Sequence, residues 1–239
     1  MVGFLEIPEW FGDELDSEYQ FLVGGGDEAA QAIREASARV PRYSARLNRD
    51  FNQFSCMDTH EVNEYVKILL GDTTLEFDLP VLYVGAGLVS PVSTRSLLDS
   101  YELGTVPPPH SVWYVGARGY NQVERDWARN CQRLFPGFEL KTEVALRSAL
   151  AELEGRPFRL MLNIDVIDPV WAPAVKSPVG LGLTPVELWE ALKALQGAPV
   201  ELLQVCGVAH DHPNPGDTAR LAAELTRDVA LLLWGEEQS

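Results

Sequence analysis

The chain has 239 residues, 46% of them apolar, and a net charge of −16 from 19 basic and 35 acidic side chains. It is too long and too apolar for a disulfide-stapled mini-protein or a disordered chain, and it can bury roughly 70% of its unfolded surface. A surface this negative repels phosphate, which argues against nucleic acid and anionic membranes as partners.

The chain opens with an acidic stretch. Glu6, Glu9, Asp13, Glu14, Asp16, Glu18, Asp27 and Glu28 all precede the first basic residue, Arg34. Residues 1–18 read as an acidic leader, either solvated or docked on a basic patch of a partner subunit. Residues 19–239 read as one α/β domain. Short apolar runs predict strands at Tyr19–Val23, Gln53–Met57, Val81–Val84, Val112–Val115, Phe138–Lys141, Arg159–Ile164 and Leu202–Val208. Amphipathic stretches predict helices at Asp27–Ala38, Val92–Asp99, Gln122–Leu134, Glu143–Glu154, Pro185–Leu195 and Thr218–Leu233. Thr184, Pro185 and Glu187 form a helix-start signature, and Gly197 a stop. Pro107-Pro108-Pro109 reads as a loop within one domain. Cys56, Cys131 and Cys206 form no CxxC pair and read as reduced thiols. No apolar run approaches the ~18 residues of a membrane span and no secretory signal is seen, so a cytoplasmic protein is expected.

Strands alternating with helices predict a mainly parallel sheet covered on both faces. Such sheets carry their chemistry in loops after the carboxyl ends of strands. Four predicted exits hold polar residues. Gly24-Gly25-Gly26-Asp27-Glu28 reads as a tight turn, because its carboxylates would repel a phosphate and no Lys-Ser/Thr completes a P-loop. Asp58 and His60 are two apart, a spacing that sends both side chains to one side of an extended strand end. Together they could hold a divalent ion or simply hydrogen-bond each other. Asn163 and Asp165 share one face of a hydrophobic run, where burial without partners would cost several kcal/mol. A bound cation, or a network with Asp58 and His60, would offset that. Asp168-Pro169 reads as a structural turn. His210 and His212 follow the last strand; two histidines alone do not make a zinc site.

The ordered set resembles the arginase/agmatinase family, the ureohydrolases. Asn163-Ile164-Asp165-Val166-Ile167-Asp168-Pro169-Val170-Trp171-Ala172-Pro173, followed by Gly180-Leu181-Gly182-Leu183-Thr184, is similar to the family's Ser-x-Asp-x-Asp-x-x-Asp-Pro-x-x-x-Pro motif and Gly-Gly-Leu-Thr turn. Asp58-Thr59-His60 resembles Asp-Ala-His, and Gly25-Gly26-Asp27 the start of Gly-Gly-Asp-His. Val115-Gly116-Ala117-Arg118 with Glu124 resembles the Gly-x-Arg strand and its helix, and Asp217-Thr218-Ala219 the last helix. The resemblance implies a three-layer α/β/α fold, arginase/deacetylase-like, with a mainly parallel central sheet of about eight strands.

It also implies a site of two Mn²⁺ ions held by two His and four Asp. Asp58, His60 and Asp165 match ligand positions; Glu28, Val62 and Asn163 replace the others. Valine cannot ligate, and asparagine is a neutral, poor bridge. The Glu expected to hold a guanidinium falls near His210. The metal-dependent deacetylases, distant relatives of the same fold, bind one Zn²⁺ through an Asp-x-His and a distal Asp, the types that survive here. Three readings follow. The first is a ureohydrolase-fold protein without ordinary turnover, with a binding or assembly role. The second is a hydrolase of an amide or amidine C–N bond using one Mn or Zn ion on Asp58, His60 and Asp165, with His210 or His212 as acid/base. The third is a working ureohydrolase with altered ligands. The expected partners are a small guanidino or amide substrate and a homo-oligomer or partner subunit, and the expected cofactor is one divalent metal or none.

Overall fold

The computed structural model describes residues 36, 39–40, 43–47, 49–50, 79–88, 112–130, 133–138, 141–209 and 212–234. The acidic leader, the predicted strands 19–23 and 53–57, the helix 92–99, most of the helix 27–38 and the triple proline lie outside the described residues.

A small antiparallel pair, β1 (Tyr43–Ser44) and β2 (Arg49–Asp50), comes first and was not predicted. Its turn is tied to the rest of the chain by Arg46, whose guanidinium donates to buried Asp228 at 2.9 Å. Five strands then form one parallel sheet in the order β5-β4-β3-β6-β7: β3 (Val81–Val84), β4 (Val112–Val115), β5 (Leu134–Phe135), β6 (Phe158–Asn163) and β7 (Val200–Cys206). The runs Val-Leu-Tyr-Val and Val-Trp-Tyr-Val are buried at every position, as strands covered on both faces must be. Parallel pairing aligns Val81 with Val112 on one side and with Arg159 on the other.

Among the described residues, four helices cover the sheet: α1 (Gln122–Asn130), α2 (Thr142–Leu153), α3 (Pro185–Leu192) and α4 (Gly216–Trp234). Alternate strand residues face opposite ways. Leu82, Val84, Trp113, Val115, Leu160 and Leu162 join one large core with Leu146 of α2, Leu188 of α3 and Leu225 of α4. Val81, Tyr83, Val112, Tyr114 and Met161 join a smaller core with Ala128 of α1 on the opposite face. The result is the expected three-layer α/β/α arrangement.

Local signals explain the helix ends. Thr184 accepts from the Glu187 amide at 3.2 Å while the Glu187 carboxylate accepts from the Thr184 amide at 2.9 Å, a complete capping box with Pro185 in the first turn. A 3₁₀ turn, Lys193–Leu195, extends α3, and Gly197 turns the chain at φ 74°. Two expectations are corrected. The helix predicted over 122–134 is described over Gln122–Asn130 and has given way to a strand by Leu134–Phe135, and Phe138, the predicted start of a strand, lies in a turn with Gly137. The parallel bonds of Tyr114 and Gly116 to Arg133 and Phe135 draw those residues into the sheet and override their helical pattern.

Among the described residues, no helix is long and apolar enough to cross a membrane.

Candidate active-site region at the carboxyl edge of the sheet

Four strand exits meet at the carboxyl edge: Gly85–Leu88 after β3, Gly116–Gly119 after β4, Ile164–Asp168 after β6 and Gly207–Ala209 after β7. β6 lies between β3 and β7, so both its hydrogen-bonding edges are taken by described strands. The exits beside Asp165 are therefore rich in glycine and alanine, and they approach it with backbone.

The predicted strand 159–164 ends at Asn163, and a 3₁₀ turn, Ile164–Val166, begins there. Asn163 caps that turn: its Oδ1 accepts from the Asp165 amide at 3.1 Å. Its Nδ2 donates to the Tyr83 hydroxyl on β3 at 2.9 Å. Both polar atoms of this buried side chain are thus engaged by protein. Gly207, at φ 93°, makes the fit possible, because a Cβ there would collide with Asn163 Oδ1. Asp165 is buried, and its Oδ1 accepts from the Ala86 amide at 2.8 Å. Burial pushes its carboxyl up to about 6, with the Ala86 N–H and the Arg118 guanidinium pulling the other way. Burial, reinforced by the Asp165 charge, likewise holds the Tyr83 phenol well above its ordinary value, and Cys206 is a free thiol raised by the same cause.

Arg118 locks the turn. Its guanidinium donates to the carbonyls of Asp165 at 2.9 Å, Val166 at 3.1 Å, Val179 at 2.7 Å and Gly180 at 3.1 Å. Gly182 has no room for a side chain, because a Cβ would meet Arg118 and the Asp168 backbone. Asp168 completes the joint: one carboxylate oxygen accepts from the Val170 amide and the other from the Gly182 amide, each at 3.0 Å. These bonds hold its carboxyl below the usual carboxylate range, in keeping with the structural turn predicted for Asp168.

Of the predicted site residues, Asn163 and Asp165 are joined by the amide-to-side-chain bond, but the strand ends at Asn163 and Asp165 lies in the 3₁₀ turn, not on the same strand face. His212 is half-buried in its own turn, where its Nδ1 accepts from the Asn214 amide at 3.1 Å; it shares no hydrogen bond with Asp165 or Asn163. Asp58, His60, Glu28, Val62 and His210 lie outside the described residues. Among the described residues, no three His, Cys, Asp or Glu side chains converge as a metal-holding group. Among the described residues, Tyr83, Ala86 and the turn's own amide partner this buried polar pair. Two contributors escaped the sequence reading. Tyr83 sits in a uniformly apolar run and reads as core. Ala86 acts through backbone. Arg118, three residues beyond an apolar strand, was named in the Gly-x-Arg resemblance, but without its role.

A model described as the arginase family matches residues 91–232, more than half of the chain. The chain is 24% identical over 269 residues to an agmatinase of Bacillus anthracis, spanning 94% of this chain and 90% of that one. The structure of a putative agmatinase from Clostridium difficile superposes with a TM-score of 0.66 at 13% identity, covering 97% of this chain and 95% of that one. A Trypanosoma cruzi formiminoglutamase solved with Mn²⁺ superposes with a TM-score of 0.64 at 15% identity, covering 85% and 84%. Fold, sheet-edge geometry and family match agree, and the chain belongs to the arginase family.

Proposed function

We propose that this chain is an arginase-family protein whose metal cage has lapsed, and that it acts by binding or assembly, not by ordinary ureohydrolase turnover. The observation that supports the reading is the commitment of Asn163, the residue at the bridging-ligand position. It is neutral, and both its polar atoms are engaged by Tyr83 and by the Asp165 amide. In this reading the described part of the site offers a two-ion cage no carboxylate at the bridging position, where Asn163 stands. Asp165 Oδ1 is held by the Ala86 amide, and the exits after β3 and β4 present Gly85-Ala86-Gly87 and Gly116-Ala117-Arg118.

A second reading keeps hydrolysis. The agmatinase likeness spans 94% of the chain, and Asp165 is a buried carboxylate with a raised pKa, a common property of functional carboxylates. In that reading Asp58, His60 and Asp165 would hold one Mn or Zn ion, which would polarise a C–N substrate and activate water. His210 or His212 would move the proton, and the substrate would be a small guanidino or amide compound.

Metal content separates the two. Protein purified without chelator is expected to carry well under one equivalent of Mn or Zn by plasma mass spectrometry. Its melting temperature is expected not to rise on adding either ion. One tightly held equivalent, or urea released from agmatine or arginine, would overturn the proposal in favour of the second reading.

A further inference from the structure

In a chain with 35 acidic side chains an arginine readily finds a carboxylate. Arg46 and Arg227 share Asp228, Arg125 meets Asp126, Arg147 meets Glu143 and Arg220 meets Glu224. Arg133 departs from this pattern. It stands just before β5, half-buried, with its guanidinium carbon 4.1 Å from the centre of the Trp113 ring. Among the described residues its guanidinium has no carboxylate or carbonyl partner, and its Nη1 is enclosed without an acceptor. An enclosed N–H left unpaired is costly, so an acceptor supplied from outside has something to gain there.

The surroundings explain why the protein does not supply one. Trp113 is fully buried, and its indole N–H donates to Glu152 Oε2 at 2.8 Å, so the α2 carboxylate that reaches this ring is engaged by the indole. Arg156 brings a second guanidinium to the same ring, 5.9 Å from its centre. Its Nε donates to the Leu153 carbonyl at 3.1 Å and its Nη2 to the Glu152 carbonyl at 3.2 Å, which offsets the negative end of α2. Two guanidinium groups thus gather at one indole that binds a single carboxylate. A guanidinium resting on an aromatic ring is held in place, and its edge is the part that takes an oxyanion in a two-bond fork.

We propose that Arg133, assisted by Arg156, anchors the carboxylate or phosphate group of a small, free ligand. The net charge selects the size of this occupant. A nucleic acid or an anionic membrane would meet repulsion from the rest of a surface at −16, whereas a small anion meets mainly the local field of the two cations. Trp113 lies in the first half of β4, and Arg156 precedes β6, whose far end carries Asn163. The site is therefore separate from the cleft, and the inference stands whichever metal outcome is found.

Calorimetric titration and thermal unfolding of the full chain at constant ionic strength test it, with inorganic phosphate and succinate as probes and NaCl as reference. At least one probe is expected to bind with a Kd of about 1 mM and, at about 10 mM, to raise the melting temperature by about 3 °C. The tighter probe assigns the group, phosphate for a phosphoryl ligand and succinate for a carboxylic acid. R133Q is expected to weaken binding at least about tenfold. R133K keeps the charge and loses the fork, so it is expected to fall closer to R133Q than to the parent. R156Q, at an exposed side chain, is expected to weaken binding about threefold and leaves the Arg133 stack in place, so the test holds even where R133Q disturbs the fold. R125Q, on α1, is expected to bind as the parent does. No response to either probe beyond that to NaCl, unchanged binding in both R133Q and R156Q, or an equal loss in R125Q would each overturn the proposal.

Discussion

The two faces of the central sheet are built differently. One is dry: Leu82, Val84, Trp113, Val115, Leu160 and Leu162 pack against three helices in a core made of hydrophobic side chains. The other carries Tyr83, Tyr114, Met161 and Cys206, with the tyrosine rings edge to face at 5.6 Å, and it runs directly into the polar cluster at Asn163. Arg159 is buried in the alternation of Met161 and Asn163, and desolvation brings its guanidinium down to about 10. The difference follows from the pleat. Each odd-numbered position of β6 faces the second layer, which carries Met161 and Asn163 there.

Substitutions on the two faces should separate these roles. Leu160→Ala, on the dry face, is expected to cost about 3 kcal/mol in urea unfolding, the usual loss for a fully buried leucine. A loss below about 1 kcal/mol would mean that this core can collapse around the gap, which would undo the contrast.

Asp165→Asn should change the sign. The Asp165 carboxyl is pushed up to about 6 in the folded state, so the unfolded chain ionises it first as pH rises. Stability tied to this group is full below about pH 4, falls as pH rises toward 6, and is constant above that. Asparagine retains an oxygen for the Ala86 amide and removes the buried charge. The variant is expected to gain on the order of 2 kcal/mol at pH 7.5, to lose the slope between about pH 4 and 6, and to match the parent below pH 4. Destabilisation at pH 7.5 would mean that the carboxylate has a cationic partner, Arg118 or a bound ion, strong enough to outweigh its burial.

Tyr83→Phe is the smallest of the three. It removes the acceptor for Asn163 Nδ2 and leaves packing nearly intact, for an expected loss of about 1 kcal/mol. A loss equal to that of Leu160→Ala would show the two faces to be energetically equivalent.

Much of the fold was legible locally. Four-residue apolar runs marked β3 and β4 with their observed bounds, and Thr184, Pro185 and Glu187 marked the start of α3. The short strand β5 was misplaced because its residues pair only once β4 is beside them, and two residues carry little pattern of their own. The site was half legible. Asn163 and Asp165 announced themselves as polar residues closing an apolar strand. Their partners did not, since Tyr83 is 80 residues away in sequence and Ala86 is 79 from Asp165.

The amino-acid sequence by itself determined the alternation of strands and helices, the turn at Asp168-Pro169 and the polar close of an apolar strand at Asn163, because each depends on neighbours within a few residues. Tertiary structure alone decided which strands flank β6, and therefore that backbone amides and the Arg118 guanidinium meet Asp165 from the exits of β3 and β4. Strand order sets those neighbours through long-range packing and hydrogen bonding, which local periodicity does not encode.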